Sequence, residues 1–78
     1  MGLHRRYKDY IIDAQPYSLR AGGWSYELLL HKGDSDGVVT TIFFGNHLFA
    51  NEEDAIRNAF GVARMKIDSG FVPEPIMQ

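Results

Sequence analysis

Residues 51–70 read as one amphipathic helix with a single apolar stripe, and that stripe dictates what the rest of the chain must supply. Asn51 offers a capping side-chain oxygen. Glu52, Glu53 and Asp54 place negative charge on the first turn, with Asp54 at the reciprocal capping position. Ile56, Ala59, Phe60, Ala63 and Ile67 follow at helical spacing and cover an arc of about 100°. Arg64 and Lys66 suit the last turn, Gly70 is the expected left-handed stop, and Pro73 and Pro75 prevent continuation. The spacing predicts a helix over Glu52 to Ser69. Its stripe must be buried against another element.

The remaining sequence supplies strands. Between Tyr7 and Pro16 the apolar residues favour the even positions, as in a strand with one better apolar face. Arg20-Ala21-Gly22-Gly23 supplies glycines tolerant of positive φ and precedes Trp24, Tyr26, Leu28 and Leu30, which alternate with Ser25, Glu27 and His31. Residues 32–37 form a concentrated turn signal, and Val38 to Phe44 are almost wholly β-branched or aromatic. The expected fold is therefore α+β: a three-stranded antiparallel sheet packed on one C-terminal helix, in the order β-β-β-α. Tyr10, Ile12, Trp24, Tyr26, Leu28, Leu30, Ile42 and Phe44 are expected on the helix side. A chain of 78 residues accommodates one domain, with a core over 7–70, an N-terminal arm at 1–6 and a tail at 71–78.

Composition narrows the function classes. Ten acidic against eight basic residues give a formal charge of −2 and a pI near 5.8, without the basic bias common in nucleic-acid-binding domains. Absence of cysteine removes disulfides and thiolate metal sites and fits a reducing, cytoplasmic setting. No apolar stretch suits a signal peptide or a membrane span, so a soluble intracellular protein is expected.

Catalytic signatures are missing. Asp34-Ser35-Asp36-Gly37 has the flavour of a calcium loop, but aligning Gly37 on the turn position of an EF-hand puts Lys32 first and Phe43 last, so an ordinary hairpin turn is expected. His4, His31 and His47 occur singly, without the close spacing of a zinc site. No serine sits in a nucleophile elbow, and Gly22-Gly23 lacks the lysine and hydroxyl of a phosphate-binding loop. The expectation is a non-enzyme with no catalytic, metal or cofactor-binding residues, no cofactor and no small-molecule ligand.

Several residues carry a family resemblance: Tyr7-Lys8-x-Tyr10-x-Ile12, Ala14-x-Pro16, the aromatic Trp24, Asp36-Gly37, Glu52-Glu53-Asp54-Ala55 and Ile67-Asp68. Their order, over Tyr7 to Gly70, resembles small uncharacterised bacterial proteins and, more loosely, HlyU-type transcriptional activators. The resemblance implies the β-β-β-α fold and a place in transcription regulation. The chain departs from it at the helix end, where Arg64, Met65 and Lys66 replace a lysine-richer segment.

Two surfaces emerge. Tyr7, Ile11, Leu29, Val39 and Phe43 recur on the less apolar side of the sheet and form the expected protein-contact set, for a partner protein or a homo-oligomer. Arg5, Arg6 and Lys8, beside Tyr7 and Tyr10, form a basic cluster suited to nucleic acid, although a solvated arm is the plainer expectation. The function expected is that of a small intracellular accessory or regulatory protein acting by protein binding or self-association. The alternative is a nucleic-acid-binding transcriptional regulator that uses the basic arm.

Overall fold

The computed structural model describes residues 3–34, 37–45 and 47–71. Ser35 and Asp36 of the expected turn, and the tail beyond Phe71, lie outside the described residues. Among the described residues four strands and one helix follow in chain order: β1 (Leu3–Tyr7), β2 (Tyr10–Ser18), β3 (Trp24–Asp34), β4 (Gly37–Phe44) and α1 (Glu52–Asp68). The sheet is an antiparallel meander of order β1-β2-β3-β4, and α1 lies across β2 and β3.

The fold is α+β as expected, but the sheet has four strands rather than three. The extra one is the N-terminal arm. Leu3 to Tyr7 pair with Ala14 to Tyr10 across a tight connection made by Lys8 and Asp9, in which Lys8 adopts a left-handed φ of 54°. A hairpin turn that requires such a φ normally uses glycine or asparagine. A charged edge strand also guards a sheet against further pairing, which explains why His4, Arg5 and Arg6 read as an arm while belonging to a strand.

The helix obeys its local signals. Asn51 has extended backbone, and its side-chain oxygen accepts from the Asp54 N–H at 2.9 Å. Gly70 closes the helix at φ 79°. Ala55, Ala59, Phe60, Ala63 and Ile67 are buried, and Ile56 is half-buried at the stripe's margin. They meet Tyr10, Ile12, Ala14, Tyr26, Leu28 and Leu30 from the two central strands, while Trp24 is only half-buried. Beyond β4, Trp24 and Phe49 exchange backbone hydrogen bonds of 2.8 and 2.9 Å, which hold the β4–α1 connection to the start of β3.

Candidate functional site

Register decides which side chains the helix covers. Leu28 stands opposite Phe43, Leu30 opposite Thr41 and Lys32 opposite Val39. Residues opposite one another in an antiparallel pair share a face, so Val39, Thr41 and Phe43 look toward the helix and Val38, Thr40, Ile42 and Phe44 look away. The expected placement of Ile42 and Phe44 on the helix side is therefore corrected. Of the expected contact set, Ile11 and Leu29 do lie on the open face. Tyr7, Val39 and Phe43 lie on the other. Tyr7 is opposite Tyr10, and Phe43 packs against the core with the Lys66 ammonium 4.3 Å from its ring centre.

The open face thus has a different apolar set from the one expected. Ile11 is 41% exposed, Ile42 47%, Phe44 65% and Val38 69%, with Leu29 half-buried between them. Val38, Ile42 and Phe44 lie on β4 with Leu29 beside Ile42, whereas Ile11 stands on β2 between Arg6 and His31. Toward β1 the same face is polar. His4 is opposite Asp13 and His31 opposite Ile11, so both imidazoles flank one carboxylate. His4 Nε2 lies 3.3 Å and His31 Nε2 3.8 Å from Asp13 Oδ2. The other Asp13 oxygen accepts from the Gln15 amide, and His31 Nδ1 is 2.8 Å from the Thr40 hydroxyl. Sequence spacing gave no sign of this array, because residues far apart in the chain are joined only by strand register. Among the described residues no group of three or more His, Asp or Glu side chains is arranged to hold a metal ion.

The basic cluster is dispersed by the same alternation. Arg5 points to the helix side, with its guanidinium 4.8 Å from the Phe60 ring centre. Lys8 bonds Asp68 at 2.6 Å, and Arg6 alone lies on the open face. At the end of the sheet beside the β1–β2 connection, Arg6 and His31 from the open face and Lys8 and Lys32 from around the edge line a depression together with Asp9.

Tyr7, Lys8 and Asp68 form a latch between the β1–β2 turn and the end of the helix. The Tyr7 hydroxyl donates to the Asp68 carboxylate at 2.9 Å. The hydrogen bonds from Lys8 and Tyr7 hold the Asp68 carboxyl below its ordinary value, while the same bonds raise Lys8 and Tyr7 above theirs. A lowered carboxyl contributes stability above its ordinary pKa of 3.8 and loses it as pH falls; a raised Tyr7 contributes below 10.0 and loses it as pH rises. Asp68→Asn should therefore lower the melting temperature between those limits, and the difference from wild type should close on acidification. The effect should be small and salt-sensitive because the groups are exposed. A difference that persists unchanged below pH 3.8 would remove the latch.

No helix among the described residues is long and apolar enough to cross a membrane. Comparison with known proteins finds no matching family model, no matching curated protein and no matching solved structure.

Proposed function

We propose that this protein is a small accessory or regulatory protein that acts by binding other polypeptide chains through the open face of its sheet. The observation that carries this reading is the apolar set Leu29, Ile42 and Phe44 on the face opposite the helix, with Leu29 directly beside Ile42. Scattered single apolar residues are ordinary on a protein surface, but neighbours on adjacent strands of one uncovered face are a contact patch. Leu29 lies beside both Asp13 and Ile42, at the boundary of the polar and apolar halves. A partner meeting this face would find apolar contact on one side and charged hydrogen-bonding groups on the other, the usual division of a core and a rim.

The test is capture by the immobilised protein from an extract of its source cells, compared with Leu29→Lys. A specific protein retained by the wild type should be lost from the variant while circular dichroism stays unchanged. Identical capture by both would end the reading.

The second reading, a nucleic-acid-binding transcriptional regulator, is favoured by the depression lined with Arg6, Lys8, His31 and Lys32. Binding led by phosphate contacts weakens steeply with salt. A gel shift with mixed DNA or RNA that vanishes between low and physiological salt, and that Arg6→Ala and Lys32→Ala remove, would favour it over protein binding.

A further inference from the structure

The two edges of the sheet are built differently. β1 carries Arg5 and Arg6, charges that discourage another strand from pairing there. β4 is Gly-Val-Val-Thr-Thr-Ile-Phe-Phe, with no charge and no proline over eight residues. An exposed, uncharged, apolar edge of that length is a ready template for strand addition.

Hydrogen-bond phase identifies what this edge offers. The Gly45 N–H donates to the Tyr26 carbonyl at 2.9 Å, continuing the β3–β4 register by one pair. Hydrogen-bonded and non-hydrogen-bonded pairs alternate along an antiparallel ladder. The odd residues of β4 therefore bond β3, and Val38, Thr40, Ile42 and Phe44 direct their N–H and C=O groups to the outer edge, which no other strand among the described residues pairs. The same four residues present their side chains on the open face.

We propose that β4 pairs with β4 of a second copy of this chain about a twofold axis through Thr41, merging two four-stranded sheets into one continuous sheet. This builds on the reading of the chain as a protein-binding module and names one partner. In this register Val38 faces the partner's Phe44 and Thr40 faces the partner's Ile42, so every outward backbone group of the four residues finds a bond. On the helix side Val39 faces the partner's Phe43, and Thr41 faces the partner's Thr41. Aromatic residues thus meet β-branched ones on both faces, and threonine meets threonine at the centre, all favourable cross-strand pairs. The Thr41 hydroxyl is buried and has no hydrogen-bond partner among the described residues. Moving the axis to Thr40 would set Thr41 against valine, Phe43 against glycine, and carry Phe44 past the start of the partner's strand.

A second copy is favoured as occupant because β4, having no charge, does not repel itself, and because the twofold arrangement is closed. Head-to-tail addition of β4 to β1 would grow filaments and would lay Arg5 and Arg6 against the apolar strand. The dimer also doubles the open face and places the apolar residues of both β4 strands along its middle.

Sedimentation equilibrium across a dilution series should show a dimer that dissociates on dilution. Ile42→Pro removes an outward N–H without touching the bonds to β3, and should weaken association by at least about 10-fold. Ile42→Lys, which keeps the backbone donor and adds a guarding charge, should act in the same direction. The chain has no cysteine, so Thr41→Cys should cross-link to itself on oxidation with copper phenanthroline, faster than Thr40→Cys. A wild type that stays monomeric at millimolar concentration, a dimer unaffected by both Ile42 variants, or equal cross-linking at positions 40 and 41 would each overturn the pairing. Leu29→Lys separates the two proposals: it leaves the β4 edge intact, so loss of capture with the dimer retained speaks to the open face alone. A monomeric wild type that still captures a protein through Leu29 overturns only the dimer.

Discussion

Replacing Phe60 by alanine should destabilise the protein by about 3–5 kcal/mol and unfold much of the population at room temperature. Phe60 is 4% exposed and belongs to the buried stripe that joins α1 to the sheet. A core this small rarely supplies more than about 3–5 kcal/mol net, so the loss is comparable with everything the fold has in hand. The ring has a second role, because the Arg5 guanidinium rests on it and Leu3 and Arg5 line the groove beside it. Phe60→Leu should restore most of the packing but not the platform for Arg5. In that variant amide exchange should quicken selectively in β1 while the β2–β3 ladder keeps its protection. A denaturation midpoint for Phe60→Ala within experimental error of the wild type would mean that the helix does not pack in this phase.

What the sequence disclosed divides along a physical line. The helix was legible because its determinants are local: Asn51 caps within three residues, the stripe repeats every turn, and Gly70 stops it. The faces of β2 and β3 were legible because only one alternation in each is strongly apolar. The face of β4 was not, because both alternations of Val38 to Phe44 are apolar and the pattern cannot choose between them. The chooser is loop length. Asp34 pairs with Gly37, so a two-residue loop sets even positions of β3 against odd positions of β4. Treating residues 32–37 as one broad turn loses that parity and moves Ile42 and Phe44 to the wrong side.

The same parity governs the candidate site. Tyr7 pairs with Tyr10 around Lys8 and Asp9, which places Arg5 under the helix, Arg6 on the open face and His4 beside Asp13. None of this follows from spacing along the chain. A basic run at the start of a sequence has the composition of a solvated arm, and what makes it a strand is the edge of β2 waiting to be paired. The histidine–aspartate array was invisible for the related reason that its members come from three strands.

Gly45→Ala should destabilise by about 1–3 kcal/mol, because a methyl there has nowhere to go. A Cβ at this position would lie 2.8 Å from the Ser25 hydroxyl oxygen and 2.9 Å from the Tyr26 ring. Neither neighbour yields easily. Tyr26 is 4% exposed, its hydroxyl donates to Asn58 at 3.0 Å, and its ring lies 6.2 Å from that of Phe49. Ser25 is 3% exposed and its hydroxyl reaches back to the Gly45 carbonyl. Gly45 sits where the chain leaves β4, and its N–H still bonds Tyr26, so relief by moving the backbone would cost that bond as well. Gly33→Ala is the control: a Cβ there meets nothing within 4 Å, and the change should be neutral or stabilising by up to about 1 kcal/mol through the unfolded chain. Urea denaturation of both variants separates the two cases. Equal effects at positions 33 and 45 would show that conformational freedom of glycine, and not the space beside Tyr26, decides the cost.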